Sequence, residues 1–251
     1  VNGLLATPVA GLPPRLRAGD DLAALVADAV ADWRDGDVVV IAHKAVSKCE
    51  GRIVRLADVT PSARARQLAA EHDKDPRQVQ VVLDESAELV RADHGVLITR
   101  TRHGFVCANA GVDASNSGED DTLVLLPLDP DGSARGLRAA LRAHTGVERL
   151  AVVVTDSFGR AWRHGQCDVA IGVAGLQPLD DRRGGRDADG RELRATWIAV
   201  ADQAAAAADL VRDKISGTPT VVLRGLGHHV TADDGPGAAA LLRPLAEDLF
   251  R

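Results

Sequence analysis

Gly95-Val96-Leu97-Ile98-Thr99-Arg100-Thr101, the turn Arg102-His103, and Gly104-Phe105-Val106-Cys107-Ala108 are the stretch on which the fold class turns. Residues 95–101 alternate as a strand, and 104–108 pair with them across the short turn. A third apolar strand over 122–126 follows the turn Gly118-Glu119-Asp120-Asp121. Outward from this β-rich middle, spanning about 90–190, strands and helices alternate. Asp20-Asp21 precede Leu22, Leu25, Val26 and Val30, a helical face predicting a capped helix over 22–33. Residues 38–42 are a β-branched run read as a buried strand. Thr60-Pro61 and Asp75-Pro76 each start a helix. Ser133 caps another through Leu137, Leu141 and His144, ending near Gly146. Residues 150–154 and 219–223 read as buried strands, 193–200 as a strand, 202–211 as an alanine-rich helix, and Gly235-Pro236-Gly237 as the opening of a helix ending near Phe250. Consecutive strands in the middle exclude a simple doubly wound sheet. The expectation is α+β, mixed sheets with flanking helices, one domain over 1–251 built as two intertwined lobes.

Composition excludes several classes. The chain has 251 residues, 45% hydrophobic and 26% charged, which excludes wholesale disorder. No apolar run approaches the roughly 18 residues of a membrane span, and Val1-Asn2-Gly3-Leu4 is no signal peptide. A net charge of -6 and an aromatic content of 2%, with no Tyr, disfavour nucleic-acid binding. Cys49, Cys107 and Cys167 form no CxxC pair, which reads as a reduced, cytoplasmic protein. There is neither a P-loop nor a dinucleotide glycine fingerprint. Asp187-Ala188-Asp189-Gly190 lacks the remaining ligands of a calcium loop, and the adjacent His228-His229 reads as a surface pair.

Polar groups interrupt apolar strand ends in a few places. His43-Lys44-Ala45-Val46-Ser47-Lys48-Cys49-Glu50-Gly51-Arg52 follows a buried strand; read as a loop, it suits an oxyanion-rich ligand, or else a solvated turn. The small-residue turn Ala108-Asn109-Ala110-Gly111-Val112-Asp113-Ala114-Ser115-Asn116 brings Asp113 and Asn116 close together, for a cation and a phosphate or sugar oxygen, or for an Asx-turn. Asp156 is placed where a strand ends, with Ser157 beside it and Arg160 and Arg163 following. A metal-bearing carboxylate competes here with a helix N-cap. The small residues of 165–175 indicate close packing, with Asp168 behind the site.

Taken together, Lys44-Ala45-Val46-Ser47-Lys48-Cys49-Glu50-Gly51-Arg52, residues 104–116, and Thr155-Asp156-Ser157-Phe158-Gly159-Arg160-Ala161-Trp162-Arg163 resemble the γ-glutamyl ligases that build the tail of the deazaflavin coenzyme factor 420. Residues 168–175, Ala199-Val200-Ala201-Asp202 and Leu241-Leu242-Arg243-Pro244 extend the likeness over nearly the whole chain. It is nearest the actinobacterial form, in which a flavin-binding nitroreductase-like domain often follows. The resemblance implies a GTP-dependent ligase adding L-glutamate to the lactyl carboxylate of the precursor coenzyme through an acyl phosphate, then extending a γ-linked tail. It implies two divalent cations (Mn or Mg), monovalent K, a homodimer, and small-molecule substrates without nucleic acid or membrane. Matched by position, Asp113 and Asp156 are ligands of the first metal and Ser157 of the second. Leu12, Pro13, Pro14, Arg15, His43, Lys48, Asn116, Lys214, Ser216, Gly217 and Thr218 form the nucleotide site. Lys48, Arg160 and Arg163 stabilise phosphates and position the acceptor. Lys214 stands where relatives supply a further metal ligand, and Gln203 where many have Glu. The base is open between solvent and a carboxylate such as Glu50. Two other classes compete: a non-catalytic module binding GTP or the deazaflavin, and a two-metal phosphohydrolase.

Overall fold

The structure is a computed structural model that describes residues 3–114, 121–212 and 217–248. β1 (Leu5–Pro8) leads to α1 (Leu22–Ala29), capped by the Asp21 carboxylate, which accepts from the Ala24 N–H. β2 (Val38–Ala42) runs directly into α2 (His43–Cys49). β3 (Ile53–Arg55) precedes α3 (Ala63–His72), capped by Ser62, and α4 (Pro76–Asp84), capped by Asp75. β4 (Ser86–Asp93), β5 (Val96–Thr101) and β6 (Val106–Ala108) form an antiparallel three-stranded sheet, and β7 (Thr122–Val124) pairs with β3. Then come α5 (Pro130–Thr145), β8 (Ala151–Arg160) and β9 (Arg163–Ala174), the short pair β10 (Asp180–Asp181) and β11 (Trp197–Ile198), α6 (Val200–Asp209) and β12 (Thr220–Arg224). This is the expected α+β arrangement.

The main sheet has the order β1-β12-β2-β8-β9, with β2 and β8 parallel and the other pairs antiparallel. Alternation along β2 and β8 loads both faces. Val39, Ile41, Val152 and Val154 pack with Leu22 and Val26 of α1 and Leu141 of α5. Val38, Val40, Ala151 and Val153 pack on the other face with Ala201, Ala204 and Ala208 of α6. Each fully buried Val or Ile contributes about 1.5–3 kcal/mol of transfer free energy, so these central strands make a stiff platform. A second, smaller core gathers Leu68, Val79 and Val82 of α3 and α4 with Leu97 of β5 and Ala110. It is built from chain inserted between β2 and β8. Among the described residues, no helix is long and apolar enough to cross a membrane.

Several expectations need correction. α1 stops at Ala29, where Val30 turns extended. Residues 43–49 are a helix rather than a loop. Ser62, not Thr60, caps α3. α5 begins one turn before Ser133, at Asp129, whose carboxylate accepts from the Gly132 N–H, while the Ser133 hydroxyl donates to Glu50. The strand predicted over 122–126 is shorter and belongs with β3, and that over 193–200 shrinks to β11. Asp156 neither ends a strand nor caps a helix, because β8 continues to Arg160 in a long hairpin. Of the C-terminal helix, the described residues contain 3-10 turns over Ala238–Leu241 and Leu245–Glu247, separated at Pro244, which has no N–H to continue a helix.

Candidate functional site

The site lies where β2 ends and its parallel pairing with β8 stops at Ala42 and Thr155, a usual location for ligands in sheets containing parallel strands. In the register, Ala42 faces Thr155, so His43 and Asp156 are the next residues on either side. His43 is 2% exposed and its Nε2 lies 3.2 Å from Asp156 Oδ1. That is a close approach without hydrogen-bond alignment: Nε2 is buried and has no aligned partner. Its other nitrogen, Nδ1, is 3.4 Å from the Ser47 hydroxyl one turn along α2.

The next residue of α2, Lys44, places Nζ 2.5 Å from Asp113 Oδ2. Asp113 arrives from the inserted lobe. Asn109, Ala110 and Gly111 all take left-handed φ values after β6, turning the chain sharply. Reciprocal backbone hydrogen bonds of 3.0 and 2.9 Å between Asp113 and Val124 then fix its position. At Gly111 a Cβ would fall 2.8 Å from the Leu126 side chain, so the turn needs glycine both for φ and for space. Two consecutive residues of α2 thus touch the two acids predicted as ligands of one metal. Lys48 follows one turn after Lys44, and burial, reinforced by the Lys44 charge, lowers its pKa.

Asp156 and Ser157 leave β8 on opposite faces, as neighbours in a strand must. Asp156 faces α2 and also accepts from the Ser157 N–H at 2.8 Å. The Ser157 hydroxyl donates to Asp168 Oδ1 at 2.6 Å. Asp168 is the cross-strand partner of Ser157 in β9 and is 4% exposed. It also accepts from the Thr155 hydroxyl at 2.8 Å and forms a short ion pair with Arg212.

The remaining predicted residues are distributed as follows. Leu12, Pro13, Pro14 and Arg15 lie in the loop between β1 and α1; Leu12 packs on the main core while Arg15 is exposed. Farther along, the Gly19 N–H donates to the Cys49 carbonyl, tying this loop to the end of α2. Gly217 and Thr218 precede Pro219, whose carbonyl accepts from the Ala42 N–H at 2.9 Å, so they flank the same end of β2. Asn116, Lys214 and Ser216 lie outside the described residues. Arg160 and Arg163 face each other at the exposed tip of the β8–β9 hairpin, and the Arg160 guanidinium donates to the His164 carbonyl. Arg52 is engaged with Glu85 at 2.7 Å and the Leu126 carbonyl at 2.9 Å, a structural tie. Glu50 receives the Ser133 hydroxyl at the opposite end of α2 from His43.

Burial pushes the Cys49 thiol up to about 11 and the Cys107 thiol up to about 12, so neither is a thiolate at neutral pH. The residues underweighted in sequence are Lys44, Asp168 and Arg212. The available signal for Lys44 was its spacing of four from Lys48 within a run that proves helical; Asp168 and Arg212 meet only through long-range folding.

Divalent cations need hard oxygen donors, and Asp113, Asp156 and Ser157 offer them. The Ser157 hydrogen is committed to Asp168, which frees its oxygen lone pairs, and the buried Nε2 of His43 stands beside Asp156 without an aligned partner. The donor set therefore fits magnesium or manganese. Among the described residues no three His, Cys, Asp or Glu side chains form a ready-made cluster, so any such site draws on hydroxyl, phosphate or water oxygens as well.

Two partly exposed carboxylates, Asp113 and Asp156, meet consecutive residues of α2 where β2 ends, with Lys48 one turn further on. The family description F420-0:Gamma-glutamyl ligase matches residues 12–225, and the chain belongs to this family. It is 46% identical to the coenzyme F420:L-glutamate ligase of Methanothermobacter thermautotrophicus over 254 residues, covering 99% of both chains. It is also 46% identical to the proteins of that name from Methanopyrus kandleri, with 96% and 95% of the two chains covered, and Archaeoglobus fulgidus, with 97% and 95% covered.

Proposed function

We propose that this chain joins L-glutamate to the lactyl carboxylate of the deazaflavin coenzyme precursor at the expense of GTP, and extends the product through γ-linkages. Family membership at this identity supports the ligase reaction. The observation that carries the site assignment is the pairing of Lys44 with Asp113 and the close approach of His43 to Asp156 at the end of β2, next to the chain entering β12 at Pro219.

A carboxylate is a poor acyl donor because oxide is a prohibitive leaving group. An acceptor carboxylate oxygen attacks the γ-phosphorus, the bond to the β-phosphate oxygen breaks, and GDP leaves. The glutamate nitrogen then attacks the acyl carbon, inorganic phosphate departs, and the ammonium proton passes to solvent. Lys48 binds phosphate oxygens; Arg160 and Arg163 orient the acceptor as the hairpin tip meets it. Asp113 and Asp156 would hold one divalent cation and Ser157 the second, supplying charge neutralisation at the phosphates. His43, with Leu12 to Arg15, Gly217 and Thr218, borders the nucleotide. With cysteines held as thiols, the reaction needs no covalent protein nucleophile. Potassium and a homodimer belong to the same reading and rest on the family likeness.

The test is incubation with precursor, GTP, manganese and L-glutamate, followed by mass spectrometry. The expected result is a product heavier by one glutamyl unit or a ladder of them. D113A and D156A each lose about 10³-fold or more of turnover while unfolding at a near-native temperature; full turnover in both contradicts the cation assignment. GTP consumption independent of glutamate indicates a phosphohydrolase, and GTP binding without GDP formation a regulatory module.

A further inference from the structure

Three groups converge on Asp168. Its Oδ1 accepts the Ser157 hydroxyl at 2.6 Å, its Oδ2 accepts the Thr155 hydroxyl at 2.8 Å, and Arg212 pairs with it. Both ionic side chains are buried. Arg212 does more than neutralise: it also donates to Thr155 Oγ1 at 3.0 Å and to the Pro219 carbonyl at 3.2 Å. One guanidinium thus joins Thr155 of β8 to the Pro219 carbonyl just before β12. Asp168 itself is unsuited to binding a cation, because its charge is matched and its oxygens are taken.

We infer that Asp168 is a positioning residue: by accepting the Ser157 hydrogen bond it holds that hydroxyl with its lone pairs open to a cation, and through Arg212 it ties Thr155 and the Pro219 carbonyl to the same strand end. A hydroxyl that coordinates a cation must donate its hydrogen elsewhere, and here the acceptor is built into the facing strand by register. Partners that orient metal-binding groups typically matter 10- to 100-fold for metal affinity. This inference rests on the proposed role of Ser157 and adds the residue that makes the role possible.

The experiment is titration of manganese into wild type, D168A, S157A and D168A/S157A with GDP present, read by the loss of the free-ion electron paramagnetic resonance signal. Steady-state kinetics against manganese concentration accompany it. D168A, which leaves Ser157 no acceptor at this position, weakens manganese binding about 10- to 100-fold and raises the manganese KM more than it lowers kcat. The double variant is no weaker than the weaker single one, within about two-fold, because both substitutions remove the same interaction. D168A/R212Q removes both buried charges together and keeps the test alive should D168A alone fail to fold; it too binds manganese weakly. Wild-type affinity in folded D168A or D168A/R212Q, or losses that multiply in D168A/S157A, overturn the inference while leaving the ligase reading intact. A wild type that glutamylates yet takes up no manganese overturns both the cation assignment and this inference.

Discussion

Lys48 carries a charge that burial opposes. It lies half-buried on α2, where desolvation and the charge of Lys44 both lower its pKa. Between that lowered value and the ordinary lysine value, the unfolded chain binds more protons than the folded one. Stability contributed through Lys48 therefore rises with pH across that window, and the cost of holding its charge is fully present at neutral pH. K48M should accordingly unfold at a higher temperature than wild type at pH 7, with the difference shrinking as pH climbs through the lowered pKa. The same variant should lose about 10²-fold or more in turnover with GTP, as expected for removing a charge that stabilises phosphoryl transfer. Thermal unfolding between pH 7 and 10, paired with GDP-release assays, checks both; a less stable K48M contradicts the strained-charge reading. Other residues were plain from neighbours in sequence. Asp75-Pro76 begins α4 as read, because a cap and a first-turn proline act within a few residues. His43 and Ser47 were opaque as helix residues, since buried polar side chains give no apolar period.

Between elements, the packing of α5 on β9 shows how small residues serve the site. At Gly172 an added Cβ would fall 2.2 Å from the Pro130 carbonyl oxygen and 3.1 Å from the Pro130 side chain, against the first turn of α5. The close packing expected for 165–175 is found here. G172A should destabilise the protein by about 2–3 kcal/mol through overpacking, measured as a lowered denaturant midpoint with unchanged slope. A neutral effect would mean that α5 is free to shift. Elements with uniform burial were legible: residues 38–42 form a strand with the predicted limits because every side chain from Val38 to Ile41 enters a core. The polar run Thr155-Asp156-Ser157 looked like a terminus, yet β8 continues because Asp156 meets His43 and Thr155 and Ser157 meet Asp168. Such cross-element pairing has no local signature.

Across the molecule, chain inserted between β2 and β8 folds around its own small core and returns Asp113 to the end of the main sheet. The alternation of strands and helices with a β-rich middle predicted the α+β class, and its motifs named Asp113, Asp156 and Ser157. The order β1-β12-β2-β8-β9 was not legible, because it depends on which distant strands pair. That arrangement brings Asp113 and Asp156, from separate parts of the chain, to adjacent residues of α2, the place proposed for the nucleotide and the acceptor carboxylate. The proposed activation of that carboxylate by phosphoryl transfer predicts a specific movement of oxygen. With precursor labelled by ¹⁸O in both carboxylate oxygens, together with GTP, manganese and L-glutamate, each amide formed should send one ¹⁸O atom into inorganic phosphate. Phosphate free of label, with the departing ¹⁸O recovered in water or in a nucleotide instead, would contradict this activation.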